Sequence, residues 1–340
     1  MDIRSMTADE LKKLTEEIGE KPYRAGQLFT WLHKKHAASY GEMTDLSKKL
    51  RQKLEEEYPL VTLQPVKRLI SKQDGTEKYL FGLADGNVIE SVLMRYHHGN
   101  SVCISSQVGC AMNCAFCASA RNRLIRSLTA SEMLEQVYRI EEISRERVSN
   151  VVVMGMGEPL LNYDALLRFI RLLSDSEGLC ISQRNITVST CGIVPAIFRL
   201  ADEKLQITLA VSLHAASDAK RKKIMPVAET YSLEQVMEAV RYYFRETGRR
   251  ISFEYALIEN FNSSAEDVKE LAGLIGNFPA HVNLIPVNTV KESQLARPER
   301  RRVEDFAKKL EKHGINVTIR KEMGSDINGA CGQLRNSYMK

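Results

Sequence analysis

The stretch Cys110-Ala-Met-Asn-Cys114-Ala-Phe-Cys117 places three thiols within eight residues. Thiolates are soft ligands that suit zinc, copper(I) and iron–sulfur clusters. A closed structural zinc site takes four ligands, yet neither a His nor a fourth Cys follows within the next sixty residues. Three thiolates fit a [4Fe–4S] cluster whose fourth iron stays open to a substrate. From spacing alone, a zinc site or three incidental thiols is the alternative.

Length and composition narrow the class of protein. The 340 residues suffice for one large domain with an appendage or for two domains, and 44% are hydrophobic. The opening MDIRSMTADE lacks the apolar core of a signal peptide, and no later run is long enough to cross a bilayer. Seven cysteines without an export signal favour a reducing compartment. We therefore expect a cytoplasmic monomer with no membrane partner. The net charge of +5 is too small to indicate a polyanionic partner by itself.

Residues 1–58 show the apolar spacing of short amphipathic helices. Thr7-Ala-Asp-Glu10 has the form of a capping box, which predicts that a helix begins there. Between positions 21 and 53, eight basic side chains face two acidic ones; they are Lys21, Arg24, Lys34, Lys35, Lys48, Lys49, Arg51 and Lys53. Such a face on a helical module suits contacts with RNA phosphates. An ordinary solvated surface is an equal alternative.

Beyond residue 60 the pattern becomes β-like, and beyond Ser101 strands alternate with helices. Runs at 78–83 and 87–94, separated by Ala84-Asp-Gly86, predict a hairpin. Six β-branched runs follow, at 102–105, 150–154, 185–189, 207–213, 251–258 and 282–287. Their alternation with helical stretches predicts a parallel α/β sheet. Six units are fewer than the eight of a closed barrel, so we predict an open one, with a seventh strand at 315–319 on an edge.

These patterns predict an α/β fold made of three parts. Residues 1–95 form a helical accessory domain with a small β extension, and residues 96–323 form a partial (β/α)6 barrel. The glycine-rich tail, 324–340, carries Cys331, and its glycines predict a mobile loop able to bring this thiol into a site.

Polar residues follow the predicted strands in a consistent way. Active sites of such barrels lie at the carboxyl ends of the strands. The thiol loop follows the first strand, and Gly155-Met-Gly-Glu158-Pro159 follows the second. Later strands end at Ser189, at Ser212-Leu-His214 and at Asn288. Each signal is weak alone, but together they predict one shared site.

Several longer stretches resemble the RlmN/Cfr family of radical S-adenosylmethionine (SAM) RNA adenosine methyltransferases. They are SQVGCAMNCAFC, VVVMGMGEPLLNYD, ITVSTCGIVP, VSLHAASD, RRISFEYALI, HVNLIPVN and INVTIRKEMGSDINGACGQL. The segment YRAGQLFTWLHKK is similar to the family's accessory helical domain. The resemblance spans nearly the whole chain. It implies methylation of carbon 2 of an adenosine in 23S rRNA, and in some members of a tRNA adenosine beside the anticodon.

The resemblance also implies a role for each matching residue. Cys110, Cys114 and Cys117 would ligate one [4Fe–4S] cluster. The SAM-binding set would be Gly157, Glu158, Ser189, Ser212, Leu213, His214 and Asn288. Cys331 matches the cysteine that is methylated, Cys103 the cysteine that resolves the RNA adduct, and Glu90 the general base.

The implied route explains the two thiols that are not cluster ligands. Carbon 2 of adenine is electron-poor, so one SAM would methylate the Cys331 thiolate instead. A second SAM, cleaved at the cluster by an electron from a flavodoxin or ferredoxin, would yield a radical that takes hydrogen from this methyl group. The carbon radical would add to the ring, Glu90 would remove the ring proton, and Cys103 would attack sulfur to release the product.

Two loops depart from the family pattern, and other functions stay open. Residues 118–128 lack the glycine usual in the family, and the loop after Asn288 lacks Pro and Gly. Both departures leave the choice of RNA substrate open. Arg121, Arg123 and Arg126 are candidate phosphate contacts.

Methylation at carbon 8, the Cfr-type activity, shares every motif quoted above. A non-catalytic Fe–S or zinc RNA-binding protein is a further alternative, but it leaves the turn at Glu158 and the two extra thiols unexplained. Cys180 and Cys191 match no catalytic role.

Overall fold

The computed structural model describes residues 2–121, 123–288, 295–330 and 332–334, with only the backbone for residues 120 and 121. Cys331, the residue predicted to carry the methyl group, lies outside the described residues. So does most of the loop after Asn288. No helix in the described ranges is long and apolar enough to span a membrane.

Three helices open the chain, as the sequence predicts: α1 (Ala8–Glu17), α2 (Tyr23–His33) and α3 (Lys48–Glu57). The predicted capping box begins α1. The Glu10 main-chain N–H donates to the Thr7 hydroxyl over 3.3 Å, and the Thr7 N–H donates to the Glu10 carboxylate over 2.7 Å. The capping box therefore gives acceptors to two of the four N–H groups that the start of a helix leaves without a partner in the helix.

The strands in chain order are β1 (Gln64–Ile70), β2 (Glu77–Gly82), β3 (Val88–Tyr96), β4 (Gly99–Ile104), β5 (Gln107–Val108), β6 (Arg126–Ser127), β7 (Val148–Val153), β8 (Ile186–Thr190), β9 (Thr208–Ser212), β10 (Ile251–Leu257), β11 (Ala280–Pro286) and β12 (Asn316–Ile319). All except β5 and β6 form one ten-stranded sheet in this order. From β1 to β4 the neighbours are antiparallel, and from β4 to β12 they are parallel. The predicted hairpin is the pair β2–β3, and the seventh parallel strand, β12, lies at an edge as predicted.

The later helices are α4 (Ala130–Ser144), α5 (Tyr163–Ser174), α6 (Val194–Asp202), α7 (Asp218–Ile224), α8 (Leu233–Thr247), α9 (Ala265–Ile275) and α10 (Arg300–Lys312). The predicted α/β class and the partial barrel are confirmed. β1 was not among the strands predicted from the sequence. This edge strand is exposed at almost every position and contains Pro65, so it shows no alternation of buried and exposed residues.

The N-terminal helices are held against the barrel through α4. The buried guanidinium of Arg4 forms an ion pair with Glu135 on α4, which also accepts a hydrogen bond of 3.0 Å from the Leu63 N–H. The ring of His33 lies 2.9 Å from the Tyr138 hydroxyl, and His36 stacks on the Tyr138 ring at 4.1 Å. Because α4 packs on β4, the accessory helices lie behind the strand that leads into the thiol loop.

Candidate active site

A cavity of about 160 Å³ lies among the loops that follow the parallel strands. Nine of the residues predicted for the cluster and for SAM line it: Cys110, Cys114, Cys117, Gly157, Glu158, Ser189, Ser212, His214 and Asn288. Leu213 does not line it. Its side chain is fully buried, and its main-chain N–H donates to the Glu254 carbonyl over 3.0 Å.

The three thiols of the loop share this cavity and influence one another. Burial and the neighbouring Cys117 raise the pKa of Cys110 to about 11, and burial raises the pKa of Cys114 further. Deprotonating the set therefore requires a compensating cation. Among the described residues, no three His, Cys, Asp or Glu side chains are placed to hold one metal ion. In a four-iron cluster each thiolate binds a different iron, so three soft donors around one cavity fit such a cluster.

The turn after β7 depends on two glycines. A Cβ at Gly155 would lie 2.6 Å from the Ile104 carbonyl oxygen. Gly157 has a φ of +105°, and a Cβ there would lie 2.6 Å from Cβ of Gln107. Only glycine accepts both the backbone angle and the close approach. The turn therefore brings the backbone to the cavity wall and aims the next side chain, Glu158, into the cavity.

The Glu158 carboxylate is oriented by two main-chain donors. Its Oε1 accepts from the Leu160 N–H over 3.0 Å, and its Oε2 accepts from the Cys191 N–H over 2.8 Å. Burial nevertheless raises the pKa of this carboxyl group. Each carboxylate oxygen keeps a second lone pair, so Glu158 can accept a hydrogen bond from a cationic group in the cavity. The positive charge of that group would favour the ionised form of Glu158.

His214 presents a neutral ring to the same cavity. Burial lowers the pKa of His214 to about 3, with the charge of Arg221 acting in the same direction. Its Nδ1 accepts a hydrogen bond of 2.9 Å from the Ala256 N–H, so the ring proton resides on Nε2. The ring of Phe116, from the thiol loop, packs edge-on at 4.5 Å. The ring thus has a fixed tautomer, with one donor remaining for a ligand.

A second, smaller cavity of about 40 Å³ adjoins the first and contains Cys103. The two cavities share Met154, Ile285, Asn288 and Arg320 in their walls. Cys103 is buried among methionine and leucine side chains. The predicted resolving thiol therefore lies next to the predicted cofactor cavity and outside the thiol loop.

Glu90 lies near this second cavity but does not line it. Its strand β3 pairs with β4 so that Val92 lies opposite Cys103. Residues two apart on a strand share a face, so Glu90 and Cys103 lie on the same face of the sheet. The Glu90 carboxylate is fully buried and forms a 2.8 Å ion pair with Lys78.

The sequence reading missed several residues of the cavity wall. Glu254 and Arg320 both line the first cavity, 3.4 Å apart, and Glu254 accepts from Asn283 over 2.9 Å. A carboxylate inside the apolar strand ISFEYAL was the available signal. Arg221 does not line the cavity itself, but it is fully buried and donates to the carbonyl of the wall residue Cys191 over 2.7 Å; burial lowers the pKa of Arg221. It lies in the basic run of α7, which gives no sign of burial.

The basic face of the accessory domain is partly used within the domain itself. Arg24 donates to the Asp45 carbonyl over 2.8 Å, and Arg51 donates to the Gly41 carbonyl over 2.7 Å. The remaining exposed members are Lys21, Lys34, Lys35, Lys48 and Lys49. These ammonium groups form no ion pair with a described acid, so the face stays a predicted RNA-contact surface.

An open parallel barrel with three thiols after its first strand and a glycine–glutamate turn after its second defines a radical SAM protein. Residues 104–275 match the Radical SAM superfamily, and residues 1–59 match the ribosomal RNA large subunit methyltransferase N-terminal domain. The chain is 60% identical over its full length to a "probable dual-specificity RNA methyltransferase RlmN" of Lachnospira eligens, covering 97% of that protein. It is 57% identical to the protein of the same name from Lachnoclostridium phytofermentans, with 99% of this chain and 95% of that one covered.

A solved structure supports the same assignment. The crystal structure of a radical SAM methyltransferase from Sphaerobacter thermophilus matches with a TM-score of 0.94 and 43% identity, covering 98% of this chain and 99% of that one. The chain belongs to the RlmN family of radical SAM RNA methyltransferases. The family predicted from the motifs is thereby confirmed, and membership of it implies a [4Fe–4S] cluster, SAM and an RNA substrate.

Proposed function

We propose that this enzyme methylates carbon 2 of an adenosine in 23S rRNA, and of a tRNA adenosine as well, through a methylated Cys331. The observation that carries the proposal is the position of Cys103. A buried thiol that is not part of the cluster loop lies in a cavity sharing four wall residues with the cofactor cavity. A direct methyl transfer has no use for such a thiol. The dual-specificity name of the relatives supports the tRNA activity.

Cys110, Cys114 and Cys117 would hold the cluster, and the Glu158 carboxylate would accept hydrogen bonds from the ammonium group of SAM. His214 would donate from Nε2, while Gly157 allows the ligand to approach the backbone. Bound cluster and SAM supply a methyl donor and, after one-electron reduction by a flavodoxin- or ferredoxin-like protein, a hydrogen-abstracting radical. Two SAM molecules would be used in each turnover.

The remaining steps belong to three side chains. The Cys331 thiolate accepts the methyl group by displacement. After the methylene carbon has bonded to the base, the adduct must lose one electron, for which the oxidised cluster would be the acceptor, and Glu90 takes the ring proton. Cys103 then attacks the Cys331 sulfur, a disulfide forms, and the carbon–sulfur bond breaks with its electron pair going to the product carbon, which gains a proton. A dithiol reductant must afterwards return both cysteines to thiols.

The test uses Cys103→Ala made in cells and analysed by denaturing electrophoresis with and without nuclease. The variant should keep its iron and SAM binding and accumulate covalently bound to RNA, because nothing attacks the linking sulfur. Cys180→Ala, which removes an exposed thiol, is the matched control and should show no adduct. An active, adduct-free Cys103→Ala enzyme would contradict the proposal. Mass analysis of adenosines from a deletion strain distinguishes carbon 2 from carbon 8.

A further inference from the structure

We propose that the β1–β2 hairpin is a positioning element for the tail, and that Lys78 joins the seated tail to Glu90. The inference rests on the proposed function, since it concerns how Cys331 and Glu90 are brought into register. The parts of the tail that the structure describes are 324–330 and 332–334.

The hairpin turn and the tail hold each other through reciprocal carboxylates. Asp326 of the tail accepts from the Ser71 hydroxyl over 2.6 Å and from the Lys72 N–H over 3.0 Å. In the other direction, Asp74 of the turn accepts from the Gly324 N–H over 2.9 Å. Hydrogen bonds to ionised acceptors are stronger than neutral ones. Each segment thus caps the backbone of the other.

The fit at the start of the tail allows no side chain. Gly324 has a φ of +64°, and a Cβ there would lie 2.9 Å from Cγ2 of Thr76. The tail backbone therefore lies directly on the hairpin. The mobility of the tail stays a prediction, and at Gly324 the glycine permits close contact with Thr76.

Lys78 is the link between this contact and the proposed base. Its ammonium lies 2.8 Å from Oε2 of Glu90 and donates to the Asn328 carbonyl over 3.1 Å. Its side chain is only 7% exposed. In a buried pair, one charge fixes the other because separating them leaves an uncompensated ion. A single ammonium thus orients the Glu90 carboxylate and the tail three residues before Cys331.

The tail is also held on the other side of position 331. The Ala118 N–H, next to the last cluster ligand, donates to the Gly332 carbonyl over 2.7 Å, and the Ser119 hydroxyl donates to the Leu334 carbonyl over 2.6 Å. One anchor therefore belongs to the hairpin and the other to the thiol loop. The contacts with the β1–β2 hairpin fix the position of residues 324–328, from which the tail continues to the two cavities.

The first experiment measures hydrogen exchange in the iron-free protein, so its readout does not depend on catalysis. Asp326→Ala removes two hydrogen bonds, and exchange over 324–330 should accelerate roughly tenfold or more. Asp305→Ala, on α10, is the matched control and should leave this segment unchanged. In loaded enzyme, Asp326→Ala should cleave more SAM for each methyl group delivered. Unchanged exchange in the tail would overturn the role of the hairpin.

The second experiment concerns Lys78. Lys78→Met should slow product release, so RNA-bound protein accumulates although Cys103 is intact, and Lys78→Arg should restore part of the release. Lys72→Met, on the same hairpin with an exposed side chain, should behave as wild type. The double variant Lys78→Met/Glu90→Gln also removes the buried carboxylate charge that faces position 78. It should regain stability, but product release should stay slow.

Normal release by Lys78→Met would overturn the link to Glu90. Failure of the proposed function would look different. Cys103→Ala would then form no adduct, whereas tail exchange in iron-free Asp326→Ala would still report on the hairpin.

Discussion

Gly157→Ala should destabilise the barrel and disable the cofactor cavity together. The new Cβ would lie 2.6, 2.7 and 2.9 Å from Cβ, Cγ and the main-chain N of Gln107, at a φ of +105°. A disfavoured backbone angle of this kind costs roughly 1–3 kcal/mol. Moving Gln107 aside breaks the 2.9 Å hydrogen bond that its Oε1 accepts from the Glu158 N–H, a further loss of about 1 kcal/mol. We therefore expect a total loss of roughly 2–4 kcal/mol in the free energy of unfolding.

Denaturant unfolding of the iron-free protein, followed by circular dichroism, measures this loss. Gly273→Ala is the control, because it lies exposed in α9 with no heavy atom within 4 Å of the added Cβ. It should stabilise the protein by up to about 1 kcal/mol through helix propensity. SAM binding to the loaded enzyme should fall only in Gly157→Ala, since Glu158 follows the altered residue. A Gly157→Ala protein as stable as wild type, with normal SAM binding, would refute the reasoning.

Other outcomes concern acid stability, RNA binding and metal content. Burial lowers the pKa of His33 to about 3 and of His36 to about 4, from 6.5. Between pH 6.5 and 4 the unfolded chain therefore binds more protons than the folded one. As the pH is lowered through this range, the free energy of unfolding should decrease by up to about 1.4 kcal/mol per pH unit for each histidine. Denaturant unfolding at pH 7 and pH 5 measures this dependence. The free energy of unfolding should change less between the two pH values in His33→Gln than in the wild type, and an equal change would contradict the assignment. Reversing the charge of four exposed lysines should weaken RNA binding. It should also reduce the slope of log binding constant against log salt concentration by roughly 0.7–0.9 per lost phosphate contact. An unchanged slope would show that this face is an ordinary solvated surface. The four are Lys34, Lys35, Lys48 and Lys49. Anaerobic reconstitution should yield one four-iron cluster whose spectrum changes with SAM, and stoichiometric zinc without iron would refute it.

That the strand-end residues share one cavity could be predicted from the sequence for a physical reason. Parallel strands bring their carboxyl ends to one edge, so Ser189, Ser212, His214 and Asn288 meet once each strand is located. No distance information is needed. Leu213 follows the end of β9 with its side chain buried, and it does not line the cavity; its contact with SAM stays a prediction.

Contacts made across long sequence separations were not predictable. Ser71 and Asp326 are 255 residues apart, and nothing in either segment specifies the other. The partners of ion pairs could not be predicted from the sequence either. Arg126, a candidate phosphate contact, instead pairs with Asp85 at 2.5 Å and with Glu132 at 2.8 Å. A basic residue in a loop reveals its acidic partners only when the fold brings them together.

The seating of the tail on the hairpin has a consequence for how the protein is made. Asp74 of the hairpin and Gly324 are 250 residues apart, so the tail is synthesised well after the hairpin and after every strand of the sheet that the structure describes. Domains fold as they emerge, so a nascent or prematurely terminated chain ending before residue 324 already has its thiol loop and Glu158 turn. Such a chain would retain the proposed ligands for cluster and SAM while lacking the proposed nucleophile, Cys331. Under the proposed function, a nonsense mutation between the codons for β12 and Cys331 would thus give a protein that holds iron and cannot methylate.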